Sequence, residues 1–163
     1  MKKPRIYVDT SVIGGCCDPE FEEWSKGLLR DFQEGRFQLL LSSTTELEIK
    51  RAPERVRRVY AAFKACESEF IVWNDEAVML AEQYLARGIL PPKFSYDARH
   101  IALATIAEAD LLVSWNFRHI VNFEKIRQFN AVNWEMGYPM ITIHSPQEVT
   151  TYGSKGRCNS SKN

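Results

Sequence analysis

The chain has 163 residues, with 45% hydrophobic and 26% charged residues, an ordinary globular composition that excludes a mainly disordered, collagenous or coiled-coil protein. Lys+Arg and Asp+Glu both count 21, so no global basic field advertises a nucleic-acid partner. The longest apolar runs are far short of the ~18 residues needed to span a bilayer, and the N-terminal apolar stretch is too short for a signal peptide. A cytoplasmic protein with no membrane association is expected.

Taken in order, the elements alternate. Arg5 to Asp9 reads as a buried strand, and Gly14-Gly15 breaks the chain after it. Phe21 to Glu34 carries a helical apolar stripe through Phe21, Trp24, Leu28 and Phe32 and stops at Gly35. Phe37 to Leu41 is a second strand. Ser42-Ser43-Thr44-Thr45 offers N-caps for a helix near Glu46, which Ala52-Pro53 interrupts. A helix is expected over Glu54 to Glu67, a strand over Phe70 to Trp73, and a helix capped by Asp75 running to about Arg87.

Ser95 is placed to cap a helix from Tyr96 to Glu108 that is apolar on most sides and therefore buried. Leu111 to Trp115 is a fourth strand, Val121 to Phe129 a short helix, and Met140 to Ile143 a fifth strand. Strands separated by helices predict an α/β fold, with a mostly parallel sheet of about five strands and helices on both faces. One domain over residues 3–150 is expected, followed by a flexible tail at 151–163.

The four cysteines, Cys16, Cys17, Cys66 and Cys158, form no Cys-x-x-Cys pair and stand at no zinc spacing from a histidine. They read as structural thiols. The acids carry more information. Asp9 ends the first strand, Glu48 lies early in the helix after the second, Asp97 opens the helix leading to the fourth, and Asn116 follows the fourth. Parallel sheets bind ligands beyond their carboxyl edge, where strand order reverses. Clustered carboxylates with no Cys or His at ligand spacing suit Mg²⁺ or Mn²⁺, and such ions favour phosphodiester hydrolysis. Each acid also has an ordinary reading: a strand-end turn for Asp9, and first-turn helix acids for Glu48, its neighbour Glu46, and Asp97.

The motifs resemble those of PIN-domain ribonucleases. Ile6-Tyr7-Val8-Asp9-Thr10-Ser11-Val12 is similar to the family's opening. Ser42 to Ile49 is similar to its second acidic motif and places the family glutamate on Glu48 rather than Glu46. Tyr96-Asp97-Ala98-Arg99-His100-Ile101-Ala102-Leu103-Ala104 is similar to the third, and Ala109 to Phe117 to the fourth. Ile143 to Glu148 resembles the final strand and turn, so the likeness runs over residues 5–149. It implies a three-layer α/β/α sandwich and metal-dependent RNA cleavage. In that role Asp9, Glu48, Asp97 and Asn116 are catalytic, and Asp9 and Asp97 hold Mg²⁺ or Mn²⁺. It further implies a VapC-like toxin of a type II toxin–antitoxin system, a homodimer silenced by an antitoxin protein. The family usually has an aspartate where Asn116 stands.

Two features bear on an RNA substrate. Arg51 and Arg55 belong to a basic run beside Glu48 that suits an RNA backbone, though such runs are often plain solvated faces. Ser11 is placed to orient a water or phosphate, or to cap the following turn. A silent PIN-like module that binds RNA or a protein without cutting is the alternative. A haloacid dehalogenase-type phosphatase is disfavoured because Ser11 stands where that chemistry wants a second aspartate.

Overall fold

The computed structural model describes residues 2–153. Five parallel strands form one sheet in the order β3-β2-β1-β4-β5. They are β1 (Arg5–Val8), β2 (Gln38–Ser42), β3 (Ser68–Ile71), β4 (Leu111–Val113) and β5 (Ile143–His144). Tyr7 pairs with Leu40 on one side and Leu112 on the other, which fixes β1 at the centre.

Alternate strand residues feed opposite faces, as a pleat demands. Ile6, Val8, Leu39 and Leu41 pack beneath α1 (Thr10–Gly15), α2 (Glu22–Gln33), α3 (Ser43–Lys50) and α4 (Glu54–Lys64). Tyr7, Leu40, Leu112 and Ile143 pack against α5 (Asp75–Ala86), α6 (Ser95–Ile106) and α7 (Phe123–Glu135). The result is the three-layer sandwich expected. Helix α6 is enclosed: Ala98 and Ile101 to Ala104 are fully buried. A final turn, α8 (Pro146–Val149), opens with Ser145 and Glu148 in a reciprocal capping box.

Several elements differ from the sequence reading. A short helix not expected from the sequence, α1, follows β1 with Asp9 as N-cap accepting from the Val12 amide, and Gly14 and Gly15 are its last two residues. A Cβ on Gly15 would stand 2.5 Å from Ser25 Oγ and 2.7 Å from the Trp115 indole nitrogen, so close approach explains that glycine. Strand β3 covers Ser68–Ile71 rather than Phe70 to Trp73, and as the sheet edge it is largely exposed. The α5 N-cap is Asn74, whose side chain accepts from Ala77 N, rather than Asp75.

Helix α7 is longer than expected because Asn122 caps it, while Phe123 and Trp134 are solvent-exposed and so leave no clean apolar stripe. The fifth strand shrinks to Ile143–His144. Asn130 of α7 occupies both backbone groups of Ile141, accepting from its N–H at 2.7 Å and donating to its carbonyl at 3.1 Å.

The chain remains docked beyond residue 150. Thr150, Thr151 and Tyr152 return onto α2, with Thr151 N donating to buried Asp31 at 3.0 Å. The rest of the expected tail, residues 154–163, lies outside the described residues. Cys16, Cys17 and Cys66 are free thiols, and Cys158 also lies outside them. Among the described residues no helix is long and apolar enough to cross a membrane.

Candidate active site

The first strand delivers Asp9 to the carboxyl edge, and β4 delivers Ser114 to Asn116 beside it, because β1 and β4 are hydrogen-bonded neighbours. This is the point where the strand order reverses, the place where open parallel sheets leave a crevice. Asp9 is almost wholly buried. Its Oδ1 accepts from Ser11 Oγ at 2.6 Å and from Val12 N at 3.3 Å, and its Oδ2 accepts from Ser114 Oγ at 2.5 Å. Burial pushes its pKa up, against the opposing pull of His100 and these hydrogen bonds.

The two serines do double duty. Ser11 Oγ also accepts from the Trp115 amide at 2.9 Å, and Ser114 Oγ accepts from the Asn116 amide at 2.9 Å. They thereby tie the loop after β4 to the end of β1. Ser11 is therefore a brace for Asp9 in this structure.

Ser42 caps α3 by accepting from Thr45 N, so the first turns of that helix rise over the same edge. Glu48 points back to the sheet: its Oε1 accepts from Thr10 Oγ1 at 2.7 Å and from His100 Nε2 at 2.6 Å. A carboxylate only accepts, so the Nε2 proton is on His100. Its Nδ1 shares a 2.7 Å hydrogen bond with the Tyr7 hydroxyl, which bonds Ser42 Oγ at 2.7 Å. Burial works against both charged partners, yet their mutual bond prevails: the Glu48 pKa is lowered and the His100 pKa raised. Glu46 faces elsewhere, accepting from Tyr60 and Lys64 of α4, which separates it from Glu48 in role.

On α6, Asp97 Oδ2 accepts from His119 Nδ1 at 3.0 Å. The His119 amide in turn donates to Asn116 Oδ1 at 3.0 Å. Asn116 thus closes a turn on its own loop, and that turn aims His119 at Asp97. Two short chains result: Asp9–Ser114–Asn116–His119–Asp97, and Thr10–Glu48–His100–Tyr7, in which Thr10 follows Asp9 directly and Tyr7 precedes it by two residues. Arg51 lies with Glu48 on a groove of about 440 Å³ also lined by Leu47, Lys50 and Tyr96. Arg55 is exposed on α4 and is not among the residues lining that groove.

The histidines, Thr10 and Ser114 were not anticipated as site residues. A signal was present: His100 falls three residues after Asp97, and His119 three after Asn116, a spacing that puts side chains on one face of a helix or turn. His100 nonetheless bonds the acid of a different helix, which no spacing within its own helix shows.

Among the described residues no three His, Cys, Asp or Glu side chains are grouped closely enough to form a ready metal centre. The donor chemistry still suits a hard cation. Carboxylate and amide oxygens are what Mg²⁺ takes, and hydroxyl and imidazole groups that donate to those ligands are what usually orient them. Glu48 Oε2 and Asp97 Oδ1 carry no hydrogen bond among the described residues, and these two side chains are 32% and 22% exposed.

No protein-family model matches the sequence, and no curated protein does. Solved structures do match. The crystal structure of VapBC2 from Rickettsia felis bound to a promoter DNA fragment contains a chain that aligns with TM-score 0.56 at 11% identity, covering 86% of this chain and 98% of that one. A chain of FitAB bound to IR36 DNA aligns at 0.53 and 15%, covering 86% and 94%. One of FitAcB from Neisseria gonorrhoeae aligns at 0.54 and 13%, covering 88% and 99%. At these identities the likeness concerns architecture: the chain has the PIN-like α/β/α fold.

Proposed function

We propose that the protein is a metal-dependent endoribonuclease and the toxin of a toxin–antitoxin pair. The carrying observation is that Asp9, Glu48 and Asp97 stand along the switch-point edge, each hydrogen-bonded by a side chain from another segment, with Asn116 turning the loop that brings His119 to Asp97. The structural likeness to chains of VapBC2 and FitAB adds support. Those names also motivate an antitoxin partner, and a homodimer is part of the same reading.

Asp9 and Asp97 would hold Mg²⁺ or Mn²⁺. The bound ion would supply water of lowered pKa and neutralise charge on the phosphate. The chain's own groups set the rest. Ser11 and Ser114 fix both Asp9 oxygens, and His119 fixes Asp97 Oδ2 while leaving Oδ1 for the cleft. His100 and Thr10 hold Glu48 by Oε1, leaving Oε2 to orient a water or take its proton. Asn116 contributes no charge; its amide turns the loop so that His119 reaches Asp97.

The test is cleavage of a labelled single-stranded RNA pool with Mg²⁺ or Mn²⁺ titrated against wild type, Asp9→Asn and Asp97→Asn. Metal-dependent cutting that either substitution abolishes supports the nuclease. Binding of RNA with no cleavage at any metal concentration establishes the silent module instead.

A further inference from the structure

The guanidinium of Arg99 lies between two rings. Its central carbon is 4.8 Å from the Trp73 ring centroid and 4.5 Å from that of Tyr96. No carboxylate lies within ion-pair distance of it among the described residues. It is half-buried on α6, next to His100, and its charge helps lower the Glu48 pKa. Tyr96 is exposed and, with Glu48, Lys50, Arg51 and Leu47, lines the groove of about 440 Å³.

An arginine usually settles on a carboxylate. Here two aromatic faces hold the planar group in place while its N–H donors keep no anionic partner. Such a fixed fork matches a phosphate, and the arrangement offsets the repulsion that Glu48 and Asp97 present to one. Tyr96 adds a π surface beside it, and stacking on an exposed aromatic is how unpaired bases are held without sequence preference.

We propose that Trp73, Arg99 and Tyr96 form a nucleotide subsite of the cleft. Arg99 takes the phosphate of single-stranded RNA, and a base beside that phosphate stacks on Tyr96. The proposal rests on the nuclease reading and names how that site holds its substrate. It predicts that a duplex, whose bases are already stacked, gains nothing from Tyr96.

The test is fluorescence anisotropy of a labelled ten-nucleotide single-stranded RNA in EDTA, where no cleavage occurs, over a range of salt. Arg99→Gln should weaken binding about tenfold and reduce the salt slope by roughly one, as expected when one phosphate contact is lost. Arg99→Lys should restore the slope but not the affinity, because an ammonium lacks the stacked plane. Tyr96→Ala should weaken binding about fivefold with the slope unchanged, and Tyr96→Phe should bind as wild type does. For a matched RNA duplex, wild type and Tyr96→Ala should bind alike. Melting curves identify any variant that fails to fold, and exposed Tyr96 keeps the test alive if Arg99→Gln does. Wild-type affinity in both Arg99→Gln and Tyr96→Ala overturns the subsite while leaving cleavage untouched, as does a wild type that does not bind the RNA. Normal binding effects without any cleavage keep the subsite and remove the nuclease.

Discussion

Two buried aspartates, Asp9 and Asp31, sit in opposite circumstances. Asp31 on α2 is fully buried and ion-paired: Arg36 reaches its Oδ1 at 3.2 Å, and Thr150 and Thr151 supply two hydroxyls and an amide. Asp9 is buried with two hydroxyls and one amide and, among the described residues, no cation in contact. One carboxylate is neutralised by its own chain and fastens the C-terminal strap to α2. The other is fully hydrogen-bonded but paired with no cation, and burial raises its pKa against the opposing pull of His100. Under the proposed function a cation would satisfy what the fold leaves open at Asp9, whereas Asp31 already has its cation in Arg36. On electrostatic grounds the contrast marks Asp31 as a structural acid and motivates the proposal that Asp9 is a functional one.

The largest expected effect breaks the structural half. Asp31→Ala removes the acceptor for a partly exposed arginine and for the Thr150 and Thr151 donors, and should cost about 3 kcal/mol. In thermal denaturation that is a fall of roughly 6–12 °C for a domain of this size. Cleavage per folded molecule should be unchanged at low temperature. A loss of activity without a loss of stability would erase the distinction.

Asp9→Asn should do the reverse. A carboxyl whose pKa is raised by folding contributes stability below its unfolded value, and that contribution is lost as pH rises through the raised one. At neutral pH the charged form therefore works against the fold. The neutral amide keeps an oxygen for one serine and can donate to the other. Its melting temperature without metal should be a few degrees higher, while any stabilisation by millimolar Mg²⁺ and any cleavage should vanish. A lower metal-free melting temperature would put Asp9 in the same class as Asp31.

The Glu48–His100 pair gives a smaller, pH-dependent signature. His100, its pKa raised by Glu48, contributes stability fully below its ordinary 6.5, and loses it as pH rises through the raised value. Glu48, with a lowered pKa, contributes above its ordinary 4.5 and loses it as pH falls through the lowered value. Metal-free melting temperatures should therefore slope downward as pH rises above 6.5 and as it falls below 4.5. Glu48→Gln should flatten both slopes. Slopes that survive this substitution would locate the titration elsewhere.

The smallest expected change is at Asn116. Asn116→Asp keeps an Oδ1 to accept the His119 amide, so stability should stay within about 0.5 kcal/mol. The added charge should lower the Mg²⁺ concentration at half-maximal cleavage several-fold, with Asp9 and Asp97 still required. An unchanged titration would confine Asn116 to the loop turn.

Much of this was legible in the sequence, because the features involved are local. The buried strands Ile6–Val8 and Leu39–Leu41 announce themselves as short apolar runs. Ser42 signals its cap, and the acid ending β1 points to the carboxyl edge of a parallel sheet. Alternation of strand and helix is enough to predict three layers. What the tertiary structure alone decided is who meets whom. Glu46 and Glu48 are equal as first-turn acids until α4 claims the one and His100 claims the other. Gly15 reads only as a helix end until Ser25 and Trp115 show why a side chain is missing there. The short β5 follows from Asn130 taking the backbone of Ile141. Thr150 to Tyr152 belong to the domain because Asp31, 119 residues before Thr150, waits for their donors. Propensity and periodicity act over a few residues; the charges that decide between a structural and a functional carboxylate are brought together only when distant segments pack.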